Sequence, residues 1–97
     1  MDLTNPDLRL ARAQEQLSCE LDGEIAILNL GSKTYFGLTE VGAIVWRALE
    51  TPKNFNAIVA AVTAEFEVDP VRCRRDILEF LDALKDRGLL EVEQEPI

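Results

Sequence analysis

The spacing of apolar positions changes period along this chain, and each change predicts an element. Leu17, Cys19 and Leu21 alternate with Ser18 and Glu20, the two-residue period of a strand over 17–21 with one buried face. Asp22-Gly23 follows at once and supplies the positive φ angles of a two-residue hairpin turn. The next strand, 24–30, sets Ile25 and Ile27 on one side and Leu28 and Leu30 on the other, so either both faces are covered or a bulge switches them. A turn at 31–33 leads into the β-branched and aromatic stretch 34–38, a third strand that completes an antiparallel meander.

Helical spacing then takes over. Val41, Ile44, Val45, Ala48 and Leu49 share one face of a helix, with Thr39 as its cap and Glu40 at the positive end of its dipole. Trp46 falls beside that stripe, as a core-edge residue. Thr51-Pro52 ends the helix. A second helix starts from Asn54 as cap and carries Phe55, Ile58, Val59, Val62 and Phe66 on one face. Asp69-Pro70 pairs a cap residue with proline at the first helical position, opening a third helix over 70–87 that Gly88 stops. A brief strand follows over 89–93. Residues 1–14 hold a single proline, several charges and few apolar positions; they read as an arm, loose or only locally helical through 8–13. This predicts a small α+β domain of winged-helix type over 15–93: a three-stranded antiparallel meander, three helices and a short C-terminal strand, with 94–97 as a tail.

A chain of 97 residues buries roughly 60–70% of its unfolded surface, enough for one core and too little for two. Its apolar run 57–62 is far short of the roughly 20 residues a membrane span needs. The charged N-terminus lacks the apolar centre of a secretory signal, so the expected location is cytoplasmic, with no membrane partner. Cys19 and Cys73 lie far apart, outside any Cys-x-x-Cys spacing, and read as reduced, partly buried thiols. The absence of histidine removes imidazole zinc sites and Ser-His or Cys-His nucleophile pairs. No pair of the 18 acidic residues sits in an apolar context that would raise a carboxyl pKa for acid-base work. Neither an enzyme nor a cofactor is expected. The net charge of −8 opposes a nucleic-acid backbone.

The segments that remain informative are those that could bind an extended chain. Residues 34–38 contain neither proline nor charge, so the usual protection of an exposed strand edge is missing. Such an edge accepts a peptide as an added strand unless the N-terminal arm or the final strand covers it. Tyr35 and Phe36 must point to opposite faces, one inward and one free for a ligand. On the third helix Cys73, Ile77, Phe80 and Leu84 form a stripe that Leu81 and Leu78 continue. The arc is wider than one neighbour needs, so either the helix packs between the sheet and the other two helices or one flank lines a groove beside the third strand.

The run DGEIAILNLGSKTYFGL, followed by VGAIVW, IVAAVTAEFEVDP and FLDALKDRGLLEV, resembles the PqqD-like family over roughly residues 17–93. That resemblance implies a non-catalytic recognition element that holds the leader of a ribosomally made precursor peptide as an added strand, between the third strand and the third helix. It also implies a maturation enzyme, such as a peptidase, cyclase or radical enzyme, as second partner. The compact 22–42 segment is more similar to stand-alone elements of lasso-peptide-type clusters, and the length agrees with a free-standing element. The site expected on this basis comprises Thr34, Tyr35, Phe36, Gly37 and Leu38 with Arg74, Ile77, Leu78, Leu81 and Lys85. Arg74, in the middle of the apolar arc of the third helix, either pairs with a carboxylate of the chain itself or faces the groove mouth to pair with an acidic leader residue. Two other readings are a winged-helix DNA-binding regulator, for which the 72–75 basic cluster speaks, and an assembly subunit without a peptide substrate. The former is opposed by the third helix, where Arg72, Arg74, Arg75, Lys85 and Arg87 are nearly balanced by Asp76, Glu79, Asp82 and Asp86.

Overall fold

Asp22 and Gly23 take φ of 52° and 83°, the two successive positive values that let a hairpin follow the natural twist of its strands. The computed structural model describes residues 2–38 and 40–94. Its elements are β1 (Leu8–Arg12), β2 (Gln16–Leu21), β3 (Glu24–Asn29), β4 (Thr34–Leu38), α1 (Val41–Ala48), α2 (Phe55–Thr63), α3 (Pro70–Asp86) and β5 (Leu90–Gln94). As the pattern predicts, β2, β3 and β4 form an antiparallel meander in that order. The register runs through β3 without a bulge, from Leu21↔Glu24 to Gln16↔Asn29 and from Ile25↔Leu38 to Asn29↔Thr34.

The helix ends follow their capping chemistry. Asn54 accepts the Ala57 N–H at 2.9 Å and Asp69 accepts the Val71 N–H at 3.0 Å, with Pro70 in the first turn of α3. Gly88, at φ 71°, ends α3 in the left-handed conformation a glycine adopts without strain. Thr39, the expected cap of α1, lies outside the described residues, as does 95–97 of the expected tail; Glu40 precedes α1 without a side-chain cap bond.

Four expectations are corrected. Residues 8–12 are neither loose nor helical: β1 pairs antiparallel with β5, from Leu8↔Gln94 to Arg12↔Leu90. Leu10 exchanges backbone bonds with Lys53 at 2.7 and 3.0 Å. The physical reason is burial, since Leu3, Leu8 and Leu10 all enter the core, and Leu8 and Leu10 reach it from one strand face. Second, the Leu17–Cys19–Leu21 face of β2 is not buried: all of residues 17–21 are exposed, and this face is the one turned away from the helices. Its opposite face meets α1, where the Trp46 indole N–H donates to Ser18 Oγ at 3.1 Å and Arg47 pairs with Glu20. Cys19 is therefore exposed, while Cys73 is buried. Third, Trp46 is central rather than marginal, at 1% exposure. The Arg12 guanidinium lies 4.7 Å from its ring centroid and donates to its carbonyl at 2.6 and 3.0 Å. Phe66 falls beyond the end of α2 and stays exposed.

Around Trp46 the core gathers Leu3, Leu10, Ile27, Leu49, Phe55, Ile58, Ile77, Leu81, Leu84 and Leu89. It lies between the inner face of the meander, the three helices and the β1–β5 ribbon.

Candidate functional site

Because β1 pairs with β5, neither covers the meander, and β4 has β3 as its single strand partner among the described residues. One row of β4 backbone groups is therefore open to another chain. Side chains alternate along it: Tyr35 is exposed on the outer face, Phe36 is half-buried on the inner face, and Leu38 is buried. Gly37 is exposed, with nothing within 4 Å of the place where a Cβ would stand.

A flank of α3 runs alongside on the inner side. The Phe36 and Phe80 ring centroids are 6.4 Å apart at 36°, a tilted contact of the kind aromatic quadrupoles favour. The Arg87 guanidinium lies 4.6 Å from the Phe36 centroid. Phe80 also seats against Gly42 of α1, where a Cβ would come within 3.3 Å of its ring; the small residue makes room for the aromatic. Asn29 ties the two walls together. Its Nδ2 donates to the Arg87 carbonyl at 2.7 Å, and its Oδ1 accepts from the Gly31 and Ser32 N–H groups at 2.9 and 3.2 Å. This buried amide joins the β3–β4 turn to the C-terminal end of α3 and so sets the spacing of Phe36 from Phe80.

Towards the N-terminal end of α3 there is a pocket of about 330 Å³ between α1, α2 and α3. Val41, Val62 and Val68 form its apolar wall and Cys73 lies in it. Burial, with a smaller contribution from Asp76, pushes the Cys73 thiol above its usual pKa, so the pocket presents a neutral thiol. Arg72 Nε stands 3.7 Å from Asp76 Oδ2 at the rim.

Of the residues expected from sequence, Thr34, Tyr35, Phe36, Gly37 and Leu38 make up the open strand. Ile77 and Leu81 are fully buried beneath it, as core. Arg74 lies elsewhere: its Nη1 donates to Asn56 Oδ1 at 3.0 Å and its Cζ is 4.9 Å from the Phe55 centroid, so it is held by α2. At about 100° per residue Arg74 is about 120° round the helix from Phe80, and Leu78 and Lys85 share its flank. The residues of α3 that meet β4 are Phe80 and, just past the helix end, Arg87. Their seven-residue spacing was the available signal. Asn29 carried none, because its partners lie 2, 3 and 58 residues away.

Two solved structures share this fold. TbiB1, in complex with the TbiA(beta) leader peptide, superposes with a TM-score of 0.79 at 40% identity, over 84% of this chain and 94% of that one. A lasso peptide synthetase B1 complexed with the leader peptide has the same fold, with a TM-score of 0.74 at 22% identity over 84% of this chain and 96% of that one. No curated protein matches. Residues 24–90 match the model of coenzyme PQQ synthesis protein D, PqqD, a span that holds β3, β4, all three helices and every residue of the groove. The chain belongs to the PqqD family.

Proposed function

We propose that the chain captures the leader segment of a ribosomally made precursor peptide as a fourth strand on β4 and presents it to a maturation enzyme. The observation that carries this reading is the open β4 edge lying beside the Phe36–Phe80–Arg87 wall. Backbone bonds to the edge supply sequence-tolerant affinity, and alternate leader side chains meet the groove and supply selectivity. Apolar leader residues settle over Phe36 and Phe80, and the valine-walled pocket at the α3 N-terminus seats another. Arg87 offers a cation at the Thr34 end of the groove. A few added backbone bonds at about 1 kcal/mol each, with two or three buried anchors, account for micromolar binding, which corresponds to about −8 kcal/mol.

The similarity to TbiB1, which is seen with a leader peptide, supports this reading. The chain works by binding and presentation, raising the local concentration of precursor at the enzyme, in the cytoplasm and without turnover of its own. The DNA-binding alternative is opposed by the net charge of −8 and by the pairing of Arg72 with Asp76.

The test is a calorimetric titration with the synthetic leader of the chain's own precursor, with the TbiA(beta) leader as comparator. Amide NMR should move β4 and the Phe80–Arg87 side of α3 together. N-methylation of alternate leader amides should abolish binding in one phase and spare it in the other, since only alternate N–H groups face β4. Tolerance of N-methylation in both phases would rule out strand addition.

A further inference from the structure

Asn29 is the one buried polar side chain among the described residues, and its amide is closely enclosed. A Cβ at Gly88 would stand 3.2 Å from its Nδ2, and one at Gly31 would stand 3.4 Å from its Oδ1. A buried amide costs free energy unless its bonds are satisfied, and an apolar side chain would fill such a site without that demand. What the amide adds is direction. Its Oδ1 holds the β3–β4 turn, and its Nδ2 donates to the carbonyl of Arg87. Arg87 is the C-cap of α3, so its carbonyl is one that no turn of the helix satisfies. The backbone pinned in this way belongs to the residue whose guanidinium lies over Phe36.

The Arg87 side chain is exposed and makes no ion pair among the described residues, although the chain carries 18 acidic residues. Thr34, Phe36 and Leu38 share the inner face of β4. A leader strand paired to that edge therefore turns the residues opposite them inward as well. The one opposite Phe36 lies against Phe80, and the one opposite Thr34, two residues away, arrives beside Arg87. A carboxylate at that place accepts two parallel hydrogen bonds from a guanidinium held in one orientation. A guanidinium free to swing would lose rotamer entropy on binding, which lowers affinity. We propose that Asn29 is a positioning residue for leader recognition: through the Arg87 carbonyl it aims the guanidinium at an acidic leader side chain opposite Thr34. This rests on the leader-binding reading.

The separating variant is Asn29→Asp, which keeps an oxygen to accept from Gly31 and Ser32 but loses the donor to Arg87. Its affinity for the synthetic leader of the chain's own precursor, by calorimetry, should fall about fivefold, the loss expected of Arg87→Ala itself. Asn29→Ser, uncharged and too short to reach Arg87, should behave alike and so separates the lost donor from the added charge. In an Arg87→Ala background either change should cost less than about twofold, because the group it aims is gone. In NMR without leader, the Arg87 side-chain protons should carry an upfield ring-current shift from Phe36 in the parent and lose it in both Asn29 variants. Among leaders with one acidic residue at a time replaced by its amide, one should bind the parent about fivefold more weakly and bind Arg87→Ala as the unaltered leader does. Equal losses from the Asn29 variants with and without the Arg87 side chain would reduce Asn29 to a stabiliser of the fold and overturn the proposal. An unchanged ring-current shift in both variants would do the same, and a leader whose amide replacements all bind like the original would overturn the acid pairing. A parent that binds no leader would refute the leader reading and this proposal with it, an outcome that the shift measured without leader distinguishes from a failure of Asn29 to hold Arg87.

Discussion

Two arginines of similar sequence context end in different environments. Arg74 is on the α2 side, against Phe55 and Asn56; Arg87 lies over Phe36 in the groove. Arg74→Ala should therefore lower stability by about 0.5–1 kcal/mol, the range for an exposed cation–π contact, with leader affinity unchanged. Arg87→Ala should do the reverse, weakening leader binding by on the order of 1 kcal/mol with a melting temperature close to the parent's. Calorimetry and thermal melts on the two variants check both. If Arg74→Ala is the variant that loses leader, the groove has been placed on the wrong flank of α3. A helical wheel finds an apolar arc but does not say which neighbour lies on which side of it. Which of the two arginines stands beside β4 depends on where β4 arrives, which is fixed by Phe80 seating on Gly42 and by the Asn29 bond to the Arg87 carbonyl.

At the scale of elements, the parts legible in the sequence were those governed by local chemistry. The Asp22-Gly23 turn, the Asn54 and Asp69 caps and the Gly88 stop each act within a few residues. What failed to read out depended on distant partners. Residues 8–12 look unremarkable until β5, some eighty residues on, supplies their hydrogen bonds. The alternation along β2 predicts one buried face, but residues 17–21 are all exposed, and the side that meets α1 is set by Trp46 and Arg47, which bond to Ser18 and Glu20. These two corrections make a paired prediction. Leu10→Ala, in the supposed arm, should cost about 2–5 kcal/mol as a buried large-to-small change. Leu17→Ala, in the supposed core, should stay within about 0.5 kcal/mol. Urea unfolding of both variants decides it, and equal costs would mean that the β1–β5 ribbon does not hold the fold together.

For the whole molecule, the layout of meander, helices and final strand followed from element order, while the open edge did not. It depends on β1 pairing with β5, which leaves β4 with β3 as its single strand partner among the described residues. The groove joins an edge strand to the end of a helix whose other faces hold the core, so leader binding is linked to the stability of the entire domain. A ligand that binds only the folded chain stabilises it by about 2.7 kcal/mol at a hundredfold excess over Kd. In a domain of this size each kcal/mol moves the melting temperature by about 4–8 °C. Saturating leader should thus raise the melting temperature by on the order of 10 °C. An equal concentration of duplex DNA should leave it unchanged, because the net charge of −8 repels a polyanion. A Leu17→Ser/Leu21→Ser variant should respond to leader like the parent, since its changes face away from the groove. Measurable leader binding without any rise in melting temperature would mean that the unfolded chain binds leader equally well, which a groove built jointly by β4 and α3 does not allow.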